Sequence, residues 1–231
     1  MAKTCIVTGG TSGIGAATAA ILRAEGWDVI PTGFTDEELA AAGSEARRLD
    51  VRDNAAVEAL FGEFDELHGL VNAAGVSGIE SDQTELPQFE FVMDVNVTGT
   101  MRCCKAAYPA LVRTGGAVVN IASVLGFLGN VHAVAYATSK AAVVNMTRSL
   151  GARWIREGVR VNAVAPGYIE TPMTEPVRSD NARNATVMTR THIGRFGRPE
   201  EVGHLIAFLL SDKASFIAGS THLVDGAYTA T

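Results

Sequence analysis

Thr8-Gly9-Gly10-Thr11-Ser12-Gly13-Ile14-Gly15 is the stretch from which the rest of this 231-residue chain can be read. Before it, Thr4 to Thr8 is short, apolar and rich in β-branched residues; after it, Ala16 to Glu25 has helical composition. Strand, glycine turn and helix follow in that order. Glycines in such a turn allow positive φ and let the backbone approach a ligand closely. The unpaired N–H groups and positive dipole end of the following helix suit a pyrophosphate. Any tight strand-to-helix connection also uses glycine, so the turn gains its weight from its place after the first strand of a series. Its spacing, Gly9-x3-Gly13-x-Gly15, is not G-x-G-x-x-G.

Outward from the turn, strand and helix patterns alternate. Asp28 to Thr32 reads as a second strand, Asp36 to Ala42 as a short helix, and a third strand ends near Leu49. Asn54 to Phe64 is helical and Gly69 to Ala73 is a buried strand. Phe89 to Val112 reads as one long helix that Pro109 kinks or ends. Ala117 to Ala122, Val159 to Ala165 and Thr221 to Val224 are strands; Ala135 to Glu157 and Glu200 to Leu210 are helices, the last opened by Pro199. Such alternation predicts right-handed crossovers and a parallel sheet covered on both faces. No composition break marks a second domain, so residues 1–231 read as a single domain. The one long irregular stretch, Gly167 to Arg198, has the length of a functional loop such as a lid.

Composition narrows the function classes. Hydrophobic residues are 47% and charged residues 19%, a globular profile. The net charge is −6 and no basic block stands out, which argues against nucleic acid. Cys5, Cys103 and Cys104 are odd in number and form no C-x-x-C, so they read as reduced core thiols; no metal site is expected. The apolar run at the N-terminus is short for a secretory leader, and no stretch approaches the ~20 apolar residues of a membrane span. A soluble, cytoplasmic protein without a membrane partner is expected.

The spacing of the glycine turn resembles that of the short-chain dehydrogenase/reductase family, and four further motifs agree with it in order. Asn72-Ala73-Ala74-Gly75 follows the fourth strand; Ser123 closes the fifth; Tyr136 and Lys140 lie on the next helix; Pro166-Gly167, Ile169 and Thr171 follow the sixth strand. The resemblance covers essentially the whole chain. It implies an α/β, single-domain, Rossmann-like doubly wound parallel sheet of about seven strands with helices on both faces. It also implies an enzyme that moves a hydride between NAD or NADP and a secondary alcohol or ketone.

The same resemblance implies a catalytic set of Asn96, Ser123, Tyr136 and Lys140. Tyr136 and Lys140 are four residues apart on a helix, so they share a face. A tyrosine titrates near pH ~10, and a nearby ammonium favours its phenolate. Ser123 would hold the substrate oxygen, Tyr136 would pass the proton, and Asn96 would position a water leading to Lys140. A degraded set would point instead to a cofactor-binding regulator; all four positions are intact.

Cofactor contacts are expected at Gly9, Ser12, Gly13, Ile14, Gly15, Gly33, Phe34, Asp50, Val51, Asn72, Ala73 and Gly75, at Tyr136 and Lys140, and at Pro166, Gly167, Ile169 and Thr171. A ribose diol is usually read by an acidic residue about 20 residues past the glycine turn. Gly33 stands there, and Phe34 stands where NADP-using relatives often carry arginine. With no cation placed for a buried phosphate, the reading favours NAD, with NADP open through Arg47 or Arg48. Asp50-Val51 matches the family's adenine contact; Asp50 could equally cap the helix at Asn54.

The substrate pocket is expected between Val124–His132 and Gly167–Arg198, apolar through Leu125, Phe127, Leu128 and Met173, with His132 and Arg178 as polar handles. Hydroxy acids, sugars or polyols and small cyclic alcohols fit the family members of similar outline. A 3-oxoacyl-carrier-protein reductase using NADPH is the alternative. Apolar residues along the two long helices suggest a homotetramer.

Overall fold

The computed structural model describes residues 2–78 and 81–230. Seven parallel strands, β1 (Thr4–Thr8), β2 (Asp28–Gly33), β3 (Arg47–Arg48), β4 (Gly69–Asn72), β5 (Ala117–Ile121), β6 (Arg160–Pro166) and β7 (Thr221–Val224), form one sheet in the order β3-β2-β1-β4-β5-β6-β7. β1 pairs with β2 on one side and with β4 on the other, so the strand order reverses direction at β1. Crevices beyond the carboxyl ends of the strands at such a point are where ligands sit in open α/β sheets.

Burial on both faces follows from the strand sequences. Along β1, Ile6 joins an apolar cluster with Leu60 and Phe61 of α3 (Asn54–Phe61), Leu111 of α5 (Thr100–Thr114) and Trp154 of α6 (Val134–Trp154). Its neighbours Cys5 and Val7 point the other way, against Leu22 of α1 (Gly13–Ala24) and Ile206 of α9 (Pro199–Leu210). Alternate residues thus feed opposite faces, and neither face is left to solvent. Cys5, Cys103 and Cys104 are buried free thiols; burial pushes Cys104 up to about 12 and the other two up as well, so they are core packing rather than nucleophiles.

Several expected boundaries move. α1 starts at Gly13 inside the glycine turn, and β3 is only two residues long. α3 stops at Phe61 because Gly62 follows it. The single helix expected from Phe89 to Val112 is α4 (Leu86–Met93), a π-helical turn at Asp94–Gly99, and α5. Pro109 lies within α5 without ending it; Gly115, in the left-handed region, does that at φ 64°. The irregular stretch after β6 holds two helices, α7 (Glu175–Arg178) and α8 (Asn181–Arg190). Asp180 caps α8 by accepting from Ala182 N and Arg183 N, a signal the sequence carried in plain view. α2 (Asp36–Ala42) falls where expected.

Candidate active site

A cleft of about 450 Å³ runs along the carboxyl ends of β1, β2, β4, β5 and β6. At one end lies the glycine turn. Gly9 has φ +63°, and a Cβ there would sit 2.7 Å from Ala74 N; a Cβ on Gly15 would sit 2.1 Å from Gly9 O. These residues are glycine because two backbone segments touch. Ser12 precedes α1 in extended conformation, and its side chain makes no capping bond. No acidic residue stands in the first turn of α1, so its dipole end is not neutralised from within. Ser12, Gly13, Ile14 and Gly15 line the cleft. This concave, uncompensated row of N–H groups fits the pyrophosphate of a dinucleotide.

At the other end, Ser123, Tyr136 and Lys140 converge. Ser123 follows β5, is 7% exposed, and sets its hydroxyl beside that of Tyr136. Lys140, one turn beyond Tyr136, is 5% exposed; its Nζ donates to Ile121 O at 2.8 Å and lies 5.5 Å from the Tyr136 ring centre. Burial raises the Tyr136 hydroxyl above its usual value of 10 and outweighs the neighbouring Ser123 hydroxyl, which lowers it. Burial brings the Lys140 ammonium down to about 8. Lys140 was expected to draw Tyr136 down; in the free protein desolvation dominates both groups.

Asn96 sits in the π-helical turn, behind the cleft wall. Its Nδ2 donates to Val76 O and Ser139 Oγ, both at 3.0 Å, and its Oδ1 accepts from Val76 N at 2.9 Å. Widened helical turns of this kind recur at functional sites. A Cβ on Gly75 would lie 3.2 Å from Asn96 Oδ1 and 3.7 Å from Lys140 Nζ, so the glycine leaves a gap touching both.

Of the expected cofactor contacts, Gly33, Phe34, Asp50, Val51, Ala73, Gly75, Pro166, Gly167, Ile169 and Thr171 also line the cleft. Asn72 does not. It is buried in the sheet, where its Nδ2 donates to Asn120 Oδ1 (2.9 Å) and Cys104 Sγ (3.3 Å). Asn120 Nδ2 passes the chain on to Thr147 Oγ1 of α6 (2.9 Å). Asp50 does not cap α3; Asp53 does, through Ala55 N and Ala56 N. Arg52 instead grips the Asp50 carboxylate through Nε and Nη2 and lies over the rings of Phe34 and Phe91.

Arg47 pairs with Glu63 at 2.7 Å, and Arg48 pairs with Asp36 and donates to Phe34 O. On the substrate side Met173 lines the cleft, while Leu125, Phe127, Leu128, His132 and Arg178 do not. Sequence reading missed Gln83 and Glu38. Buried Gln83 accepts from Tyr136 N at 3.0 Å and donates to Ser77 O at 2.8 Å, tying α6 to the loop after β4. Glu38 reaches back from α2 into the cleft wall; the signal was its place three residues after Thr35, the spacing of a capping box.

A family model described as enoyl-(acyl carrier protein) reductase matches residues 9–229. Among curated relatives, the cis-4-hydroxycyclohexanecarboxylate dehydrogenase of Sinomonas cyclohexanicum is 41% identical over 99% of this chain and 97% of its own length. A 3-oxoacyl-[acyl-carrier-protein] reductase of Thermotoga maritima is 36% identical over 97% of this chain and 96% of its own. The solved structure of a putative 2-deoxy-D-gluconate 3-dehydrogenase from Agrobacterium tumefaciens with bound NADP superposes with a TM-score of 0.87 at 34% identity, covering 99% of this chain and 97% of that one. With its sheet order, glycine cradle and serine–tyrosine–lysine cluster, the chain belongs to the short-chain dehydrogenase/reductase family.

Proposed function

We propose that the chain is an NAD-dependent dehydrogenase of cyclic secondary alcohols, working through Ser123, Tyr136 and Lys140, with Asn96 as a positioning residue. The carrying observation is the convergence of Ser123, Tyr136 and Lys140 at one end of a cleft whose other end is a glycine cradle. The nicotinamide supplies or accepts the hydride when bound. Ser123 orients the substrate oxygen next to the Tyr136 hydroxyl. In ketone reduction Tyr136 gives its proton to that oxygen; in alcohol oxidation it takes one. Its raised pKa keeps Tyr136 protonated in the free protein, so oxidation needs added positive charge in the cleft, which the oxidised cofactor carries. Lys140 below pH 8 keeps its ammonium beside the ring and steadies the phenolate. The gap over Gly75 supports a proton path from Lys140 past Asn96.

The relative acting on a hydroxycyclohexane carboxylate supports a small ring alcohol as substrate class. We place residues 1–231 in one domain, with 167–198 as its substrate lid. A cytoplasmic homotetramer is our reading of its assembly. No helix among the described residues is long and apolar enough to cross a membrane. Exposed large apolar side chains stand on both long helical stretches, at Phe91 and Ile155, and also near edge strand β7, at Phe208, Phe216 and Leu223. Light scattering of the purified chain tests the tetramer.

The central test is absorbance at the nicotinamide band with NAD or NADP over a panel of cyclohexanols, hydroxycyclohexane carboxylates and aldohexoses. The carrier-protein reductase reading, favoured by the Thermotoga relative, predicts instead fast NADPH oxidation with an acetoacetyl thioester and no turnover of ring alcohols. Gly15→Ala is expected to remove cofactor binding altogether, because its Cβ would displace Gly9 from the cradle. Titration by quenching of tryptophan fluorescence reads this; unchanged affinity refutes the cradle.

A further inference from the structure

We infer that Glu38, from the first turn of α2, is the carboxylate that reads the ribose of the cofactor and turns away a 2′-phosphate. This rests on the nicotinamide-dependent reading above and adds the residue that sets its choice of cofactor. Doubly wound folds usually carry an acid at the end of the second strand to accept from the ribose hydroxyls. Here that position is Gly33, and the space beside it is filled. A Cβ on Gly33 would lie 2.7 Å from Thr11 Cγ2 and 2.9 Å from Thr11 Oγ1. Thr11 thus stands where an acid at position 33 would project, and the acid has to come from another element.

Glu38 is that acid. It lines the same cleft as Gly33, Phe34 and Thr35. Its Oε2 accepts from Phe34 N at 2.8 Å and from Thr35 N at 3.1 Å. The carboxylate therefore sits across the two backbone donors at the end of β2, leaving neither for a phosphate. Oε1 has no protein partner in these bonds and is left for a hydroxyl donor. Asp36 and Glu37 add negative charge in the same turn, and the nearest cations are engaged: Arg48 by Asp36 and Phe34 O, Arg52 by Asp50. A phosphate entering here would meet a carboxylate before it met a free cation.

A cap alone would explain the Thr35 bond, since Thr35 Oγ1 also accepts from Glu38 N at 3.2 Å. It would not place the shorter bond on Phe34, one residue outside the box. Glu38→Gln separates the two roles, because glutamine serves equally well in a capping box but carries no charge. The probes are adenosine 5′-monophosphate and adenosine 2′,5′-bisphosphate, titrated calorimetrically into the full chain without turnover. The wild type is expected to favour the monophosphate by about tenfold or more, and Glu38→Gln to close that gap by about tenfold, the scale of one like-charge contact near a surface. Thr11→Ala with Gly33→Asp, added to Glu38→Gln, is expected to reopen it.

A thermal midpoint within about 2 °C of wild type, under ~1 kcal/mol for a chain of this size, shows that the cap survives. Glu38→Ala gives a second reading should the glutamine variant fold poorly. An unchanged ratio in both variants, or a wild type that prefers the bisphosphate, overturns the inference while leaving the enzyme reading intact. A wild type that binds neither nucleotide nor NAD overturns both.

Discussion

Tyr136→Phe is expected to lower kcat by roughly 10²–10⁴-fold, the contribution of one positioned acid–base group. The substitution removes a single oxygen. The phenyl ring keeps its place on α6, and Gln83 still accepts from the backbone N–H of residue 136. Cofactor affinity should change by less than about twofold, or ~0.4 kcal/mol. Stability should rise slightly or stay level, because the lost hydroxyl is desolvated and the nearby Ser123 Oγ still accepts from Leu125 N. Single-turnover hydride transfer with preloaded cofactor is the measurement. A variant that keeps more than about a tenth of the wild-type rate removes Tyr136 from the acid–base role.

Lys140→Met should uncouple stability from activity, and do so with a defined pH dependence. The folded pKa is about 8 against 10.5 for the unsupported side chain. Below pH 8 both folded and unfolded states bind the proton, and the fold carries the whole cost of burying the charge. Between about 8 and 10.5 the unfolded state binds more protons, so stability rises with pH and the cost fades. At 1.36 kcal/mol per unit that cost is about 3 kcal/mol at neutral pH. Methionine removes it but leaves Ile121 O without its donor, which returns about 1 kcal/mol. The variant should therefore be about 2 kcal/mol more stable than wild type at pH 7 and no more stable at pH 10.5, while kcat falls by about 10²-fold or more. Denaturant melts across that range read the difference. A stability gap independent of pH would mean that Lys140 is not titrating in its buried site.

What the sequence made legible divides along physical lines. Alternation of β-branched runs with helical segments is a local signal repeated along the chain, and it carried the sheet and both helical layers. The glycine turn was readable because touching backbones admit no side chain, a constraint independent of context. The helices within residues 167–198 were less legible, because α8 is a polar helix with Val187 as its buried residue among those described, so its core face is small and the Asp180 cap is its main signal. The π-helical turn at Asp94–Gly99 was hidden for another reason: its residues suit an α-helix equally well, and the widening is tied to tertiary bonds from Asn96 to Val76 and Ser139. Asn72 was misplaced because sequence order puts it beside Ala73 and Gly75, while strand alternation turns its side chain into the sheet. The cofactor question stayed open for lack of Thr11. A Cβ at position 33 would meet the Thr11 side chain, a tertiary contact that leaves no mark in the sequence.

The buried relay from Asn72 through Asn120 to Thr147 has a consequence for how such an enzyme changes its diet. It bolts β4 and β5 to the helix that carries Tyr136 and Lys140, using directional bonds that tolerate little sliding. The side chains proposed to move the proton are thereby tied from beneath to the sheet, while Gln83 ties their helix to the loop after β4. Residues 167–198 join local bonds, such as Asn184 Nδ2 to Arg178 O and Thr174 Oγ1 to Ile169 O, to anchors near the C-terminal end, Ile193 N to Gly226 O and Arg190 over the Tyr228 ring. Grafting that stretch between relatives should exchange the alcohols accepted while leaving the rate of proton delivery in place. A new substrate range can then be tried without rebuilding the chemistry, and a failed trial loses only a cover.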